Sequence, residues 1–443
     1  MLLEERPATC LCELGPARGA APQRVECGRC VLQTTMALGG PAQYGQVRLL
    51  GVQSSGMVDH IIRAPSNFIA AHAGGQQQHK LVSQEELLNL LKAADARDLD
   101  VVHLSGGGAA NTLRALFDGF GVSCGIVGAV GGDAWGQRYT RSFAGRVDTT
   151  RLVTHPEQRT ARCCVLVDDV TGERVLRTDA GVGCAALTQL DLPPEALAGT
   201  PWVYVTGYAL YTPGLLEAVL ALAQTHACKL VLQLARADVV RTFFPMLRQL
   251  LLVDSVFDAI IANEEEALAY LDCERRAQGV QSPGAELDSE VLAALDLLAV
   301  ASRGAVCVIT LGDRGCVMRV GADVIQQDAV HVPPQEVVDT CAAGDFFAAG
   351  FLAGLVSGAP HVHSARFGCL AGAAAVRTLG GESTPEVWDW AGNHLQEAGL
   401  SHQNWPPSSQ QDSCPEWYHS EGASQGATPA WNEAGLVGAA SQL

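Results

Sequence analysis

The sequence predicts an α/β fold with three layers, α/β/α: a mainly parallel central sheet between helices, plus a small accessory β sheet. Two observations carry this. From "WVYVTG" onward, short runs rich in Val, Ile and Leu alternate with helical patterns, which implies parallel strands joined by crossover helices. Earlier, "RCCVLVDDVTGERVLRT" has two extended runs around a Gly-containing turn and reads as a β-hairpin outside that alternation.

Taken in order, residues 1–45 are rich in Gly, Pro, Ala and Cys without periodicity and read as a disordered extension. "VRLLGVQSSGMVDHIIR" is strand material at the start of a domain spanning 46–395. After the hairpin come the strand "WVYVTG", the helix "PGLLEAVLALAQTH", the strand "KLVLQLA", a helix over 237–252, the strand "DAIIAN" and the helix "EEEALAYL". A polar connection over 272–288, the helix "EVLAALDLLAVAS" and the strand "AVCVITLG" follow. Residues 396–443, dense in Ser, Gln, Gly and Pro, read as a low-complexity tail.

Composition narrows the function classes. A hydrophobic content of 48% with 17% charged residues supports a large buried core. The net charge of −18, unbroken by basic blocks, repels phosphate backbones and anionic lipid, so nucleic acid and membrane surfaces are not expected partners. The acidic start "MLLEERPATC" does not resemble a signal peptide, and no long apolar run lacks charge. A cytoplasmic location is expected, with plastid targeting left open by the extension. Of 15 cysteines, Cys163, Cys164, Cys307 and Cys369 lie in apolar segments and read as reduced core residues. Cys10, Cys12, Cys27 and Cys30 have zinc-ligand chemistry but no surrounding strand or turn pattern, which favours a tail.

The chemistry concentrates in "VVDTCAAGDFFAAGF". The run after Asp345 is apolar nearly all round, with Ala348, Gly350 and Gly354 permitting close packing, so it predicts a buried helix. Its first amides, from Ala342, Ala343 and Gly344, are available to an anion, and Asp345 beside them could take a proton from an attacking hydroxyl. Read alone, Asp345 serves equally well as a complement to the helix dipole.

Five motifs in order then make the pattern specific. "DTCAAGDFFAAGF" resembles the C-terminal signature of the PfkB carbohydrate kinase family, in the ribokinase-like superfamily. "GGGAANTLRAL" is similar to its glycine signature, "GAVGGDAWG" to its G-D-x-x-G turn, "NEEEA" to its N-x-x-E motif, and "ITLGDRG" to its nucleotide loop. "GFGVSCGIVGAVGGD" and "VRTLGGESTPEVWDW" resemble the plant and algal adenosine-kinase-like branch.

The resemblance implies a ribokinase-like fold whose accessory sheet is a lid, and an ATP- and Mg²⁺-dependent kinase acting on a hydroxyl of a sugar, polyol or nucleoside. It implies Asp345 as catalytic base, with Ala342, Ala343 and Gly344 as anion hole. Asn263 and Glu266 would organise Mg²⁺ through water, Thr310, Gly312 and Gly315 would line the nucleotide pocket, and Asp59, Gly107, Gly108 and Asn111 would bind substrate hydroxyls. Asn263 and Thr310 also end predicted parallel strands, where open sheets bind ligands. On the residues alone, Asn263 reads as a helix N-cap, Glu266 as a solvated first-turn residue, Asp59 as a turn residue and the glycines as a tight turn. An exposed lid edge would suit a homodimer.

One departure stands out: Ala342 occupies the family's first turn glycine. Were positive φ needed there, alanine would cost roughly 1 to 2 kcal/mol, and a weakened, nucleotide-binding or assembly protein becomes the alternative. Other folds are tested directly. The only lysines, Lys80, Lys92 and Lys229, form no P-loop. "GVGCAA" (181–186) matches a dinucleotide fingerprint without its strand or acidic partner. His361 and His363 lack acidic or cysteine neighbours and are expected on a helix surface.

Overall fold

A computed structural model describes residues 46–74, 78–280, 286–300 and 306–397. Nearly all of both predicted tails, and the four N-terminal cysteines, lie outside these residues. Fourteen strands are described: β1 (Leu49–Gln53), β2 (Met57–Ala64), β3 (His79–Leu81), β4 (Val101–Gly106), β5 (Cys124–Gly131), β6 (Val147–His155), β7 (Ala161–Asp168), β8 (Arg174–Asp179), β9 (Trp202–Thr206), β10 (Lys229–Gln233), β11 (Ala259–Asn263), β12 (Val306–Thr310), β13 (Cys316–Val320) and β14 (Asp323–Gln327).

Nine of them form the central sheet, in the order β14-β13-β12-β11-β10-β9-β1-β5-β6. Pairing is parallel from β12 through β6, and antiparallel only at β12–β13 and β13–β14. Strand alternation divides the core into two layers. Leu49, Tyr204 and Ile261 face the helices Gly108–Phe120, Ala343–Ser357 and His361–Ala375. Leu50, Val205 and Ile260 face Leu215–Thr225, Glu264–Gln278 and Leu287–Val300 on the other side. The Ala343–Ser357 helix buries every residue from 346 to 356. Close packing demands its small residues: a Cβ at Gly350 would lie 2.2 Å from the Phe367 carbonyl oxygen.

The predicted hairpin is β7–β8, and it belongs to a second sheet ordered β3-β8-β7-β2-β4. That sheet is mixed rather than antiparallel, because β2 pairs parallel with β7 and β3 parallel with β8. The early strand material divides after Gln53: β1 joins the central sheet, and β2 crosses to the lid, with the Gly56 N–H donating to the Ala129 carbonyl at the crossing. One lid face is covered by the helices Ser66–His72 and Gln84–Asp95 through Phe68, Leu87 and Leu90.

Two segments differ from expectation. The predicted helix 237–252 is broken into Ala237–Thr242, Phe244–Arg248 and a π turn over Gln249–Asp254, with Pro245 at the start of the second piece, where proline's missing N–H is tolerated. The polar stretch from 272 is helical as far as Gln278, because Asp272–Arg276 and Arg248–Glu274 ion pairs support a helix with a polar surface. The four apolar-segment cysteines are buried and form no disulfide, as read. Among the described residues, no helix is long and apolar enough to cross a membrane.

Candidate active site

At the carboxyl ends of β10, β11 and β12 a cleft of about 140 Å³ opens. Its lining brings together Asn263, Glu266, Thr310, Ala342, Gly344 and Asp345 from the predicted set, with Gln233 and Ala235 added. A larger surface hollow of about 420 Å³ lies elsewhere, against Ala134, Trp135, Arg138 and Arg141, and is lined by no carboxylate among the described residues.

The turn before the Ala343–Ser357 helix sets the geometry. Ala342 has φ 59° and ψ 4°, the left-handed conformation, so the position does require positive φ. Its methyl is accommodated by Gly381: a Cβ there would lie 2.1 Å from the Ala342 Cβ. No side chain caps this helix. The Phe346 N–H donates to the Ala342 carbonyl; of the three residues before Asp345, Ala342 and Gly344 line the cleft and Ala343 does not.

Asp345 occupies the first turn. Its Oδ2 accepts from Asn111 Nδ2 at 2.9 Å, and its carbonyl accepts from Thr112 Oγ1 at 3.1 Å. Burial raises its carboxyl to about 6, against the lowering influences of the Asn111 hydrogen bond and the Arg114 charge. At neutral pH such a group is mostly ionised yet near enough to its midpoint to exchange a proton, which suits a base.

Asn263 and Glu266 form a capping box on the Glu264–Gln278 helix. Asn263 Oδ1 accepts from the Glu266 N–H at 2.8 Å, while Glu266 Oε2 accepts from the Asn263 N–H at 3.0 Å and Oε1 from Asn263 Nδ2 at 2.8 Å. The N-cap reading of Asn263 is therefore correct as local structure. Glu266, by contrast, is not a solvated residue: it is 3% exposed, and desolvation raises it to about 7, with Glu265 and Asp345 adding to the rise.

Asp59 lies on β2, opposite Leu104 and Cys163. Desolvation first, opposed by Arg114 and helped by Asp345, raises its carboxyl to about 7. The glycine run makes room for this chain's own side chains. A Cβ at Gly106 would meet Asp59 Oδ2 at 2.0 Å, one at Gly107 (φ 97°) the Gln53 amide at 2.8 Å, and one at Gly108 Asp345 Oδ1 at 3.3 Å. Asn111 is engaged at both ends, donating to Asp345 and accepting from Arg114 Nη2 at 2.6 Å. Gly312 and Gly315 shape the turn after Thr310 without lining the cleft, and Gly315 lets the Gln327 carbonyl come close. His361 and His363 are half-buried in the first turn of their helix rather than on its surface. The fingerprint-like 181–186 lies in a turn after β8, followed by a single 3₁₀ turn at Gln189–Asp191 and not by an α-helix.

Sequence reading missed Gln233 and Ala235. Gln233 ends β10, its Oε1 accepts from Tyr204 Oη, and its Nε2 faces Gly344. Ala235 is held at φ 74°, so two of the five non-glycine residues with positive φ among the described residues border this one cleft. A polar residue inside the predicted strand "KLVLQLA" was the available signal for Gln233; nothing in "QLARAD" announces the strain at Ala235.

The lid reaches the same turn. Arg174 of β8 pairs with Asp339 and donates to Thr340 Oγ1 at 3.0 Å, and Arg63 of β2 donates to the Val338 carbonyl at 3.3 Å. Asp339 in turn accepts the Cys341 N–H at 2.9 Å and the Gly380 N–H at 2.8 Å.

A mainly parallel sheet between helical layers, with a second, smaller β sheet as a lid, defines a ribokinase-like fold. The sequence matches the family described as pfkB family carbohydrate kinase over residues 81–388, and the chain belongs to that family. It is 30% identical over 302 residues to an adenosine kinase of Schizophyllum commune, covering 64% of this chain and 82% of that one. Against the adenosine kinase of Schizosaccharomyces pombe, identity is 27% over 267 residues, with 58% and 75% covered. The fold is similar to that of the Sinorhizobium meliloti adenosine kinase, with TM-score 0.66, 24% identity, and 79% and 100% of the two chains covered. It also resembles the Schistosoma mansoni adenosine kinase solved with 2-fluoroadenosine, with TM-score 0.64, 19% identity, and 78% and 99% covered. The protein is a phosphotransferase acting on a hydroxyl group, a sugar or nucleoside kinase. Asp59 precedes the matched residues.

Proposed function

We propose that the protein transfers the γ-phosphate of ATP to a hydroxyl of a nucleoside, with Asp345 as general base. The observation that carries this reading is the meeting, in one cleft, of Asp345, the amides of Ala342 and Gly344, and Glu266. Asp345 takes the proton from the attacking hydroxyl, and the helix-start amides, joined by Gln233 Nε2, hold the charge that develops on the transferring phosphoryl group. Thr310 and the turn Gly312–Arg314, closed by Gly315, border the nucleotide side.

The donor set suits Mg²⁺, a hard cation that prefers oxygen ligands and retains water. Glu266 supplies a desolvated carboxylate whose burial a cation would offset, and Asn263, committed to Glu266 at both ends, holds it in place. Bound Mg²⁺ would neutralise charge on the ATP phosphates.

Two things favour a nucleoside over a sugar or polyol. The relatives named above are adenosine kinases. Beside Asp59 the lid face carries an apolar patch, with Ile61, Cys163, Val165 and Val167 packed beside Met57, Leu104 and Leu176, while Arg63, Arg174 and Thr178 lie on the same face. Such a face accepts a flat base while Asp59 takes ribose hydroxyls. A homodimer through the lid would use the free edge of β4, where Val102 is exposed.

The test is ATP consumption with a panel of nucleosides, sugars and polyols, with Asp345→Asn as control. Turnover with nucleosides that Asp345→Asn abolishes is expected. Nucleotide binding without turnover on any acceptor would favour the non-catalytic alternative, and preference for a hexose or inositol would overturn the substrate class.

A further inference from the structure

Arg114 is 8% exposed and has no carboxylate within ion-pair distance among the described residues. Burying a guanidinium that no carboxylate contacts directly is costly, so its hydrogen bonds indicate what it is held for. Nη1 donates to Ser142 Oγ at 3.2 Å, and the guanidinium lies over the Phe143 ring, 5.5 Å from its centroid. Nη2 donates to the Ser105 carbonyl and to Asn111 Oδ1 at 2.6 Å.

The last contact has a consequence for the base. An asparagine amide can present either its oxygen or its nitrogen to a neighbour, whereas a guanidinium only donates and an ionised carboxylate only accepts. With Arg114 claiming Oδ1, Asn111 must turn Nδ2 toward Asp345, as found at 2.9 Å. We propose that Arg114 is a positioning residue for phosphoryl transfer, fixing the sense of the Asn111 amide so that Asp345 is held in its ionised, hydroxyl-facing orientation.

This rests on Asp345 being the base. The electrostatics agree: Arg114 lowers both Asp345 and Asp59 against the upward pull of burial. The groups facing Arg114 are Asp59 from the lid, Tyr139 from the Ala134–Arg141 helix, Arg146 from the following turn and Asp118 from its own helix. Those facing Asp345 are Asp59, Tyr204, Tyr208, Glu266 and Cys341, besides Asn111 and Arg114.

The experiment compares Arg114→Met, Arg114→Lys, Asn111→Ala and the Arg114→Lys/Asn111→Ala double variant in adenosine phosphorylation across pH. Arg114→Lys is the variant expected to fold if Arg114→Met does not. Arg114→Met should lower kcat by roughly 10- to 100-fold with a smaller change in KM, and move the acid limb of kcat upward by about one pH unit. Arg114→Lys should keep the limb near its normal place while still lowering kcat, and should have no further effect once Asn111 is alanine. Fully additive losses, or wild-type kcat in Arg114→Lys, would overturn the proposal. In parallel, ¹³C-carboxyl NMR of Asp345, assigned with Asp345→Asn, reads its titration without turnover. A midpoint unmoved in Arg114→Met defeats the proposed link. A raised midpoint in a protein that phosphorylates no acceptor would leave the link standing and reject the kinase reading.

Discussion

Two helices begin at the same cleft, and their first turns are built in opposite ways. The Glu264–Gln278 helix caps itself, with Asn263 and Glu266 exchanging hydrogen bonds in both directions. The Ala343–Ser357 helix has no capping side chain and enters through a left-handed alanine. An N-cap contributes about 1 kcal/mol, so the second helix forgoes stability that the first secures. A helix start that satisfies its own amides has little left for an anion, whereas one that leaves them open is an anion site. In the proposed function the capped start would orient a carboxylate for a cation, and the open start would receive phosphate.

The largest effect should come from removing the base at the open start. Asp345→Asn keeps the shape and can still accept from Asn111, so loss of turnover would report the proton and not the fold. General-base assistance is worth about 10² to 10⁴ in rate, and kcat should fall by that range with the circular dichroism spectrum unchanged. Wild-type-like turnover in the variant would assign the base elsewhere.

At the capped start, Glu266→Gln separates the two roles of that residue. Glutamine can still accept from the Asn263 N–H but loses the bond from Asn263 Nδ2, so the helix should keep its backbone cap and stability should fall by about 1 kcal/mol. Groups that orient a metal's surroundings typically cost 10- to 100-fold when altered, and turnover at limiting Mg²⁺ should fall by about that factor, recovering partly as Mg²⁺ is raised. Unaltered Mg²⁺ dependence would reduce Glu266 to a capping residue.

The contrast explains what was legible in the sequence. The alternation of Val/Ile/Leu runs with helical patterns was enough for the sheet, because strands buried on both faces carry their hydrophobicity locally. The open helix start was legible for the same reason: Ala342 to Asp345 are contiguous, and the apolar run behind them leaves no other place for the carboxylate. What stayed hidden depends on contacts between segments far apart in the chain. Gly107 reads as a substrate-binding glycine, and its closeness to the Gln53 amide is not announced by the local sequence. Asn111 looks like a substrate ligand, yet it is held between Asp345 and Arg114. The parallel β2–β7 pairing of the lid joins residues about a hundred positions apart, and no local pattern distinguishes it from an antiparallel one.

A smaller effect concerns stability and has an inverted sign. Asp345 is raised to about 6, and Asp59 and Glu266 to about 7, mainly by burial, whereas the unfolded chain releases these protons near pH 4. Between those limits the folded state binds more protons than the unfolded state, so stability falls as pH rises through the window. Asp345→Asn removes one such group. The variant should gain about 3 kcal/mol over wild type at pH 8, with the difference vanishing below about pH 4. Urea denaturation at the two pH values checks this; a variant equally stabilised at both would point to packing.

The smallest effect tests whether the open start is strained or adapted. Ala342 adopts φ 59°, where a Cβ crowds the following carbonyl, and glycine there would relieve roughly 1 kcal/mol. Against that gain, the methyl fills the space left by Gly381, itself at φ 66°, and packs against the core behind it. Ala342→Gly should therefore raise stability by less than about 1 kcal/mol and preserve or modestly raise kcat, since the amide directions are already set by the left-handed turn. Thermal denaturation and kcat measured together decide the matter. A large loss of turnover with the fold intact would mean that the methyl holds the amides in place, and that alanine is the residue this turn was built around.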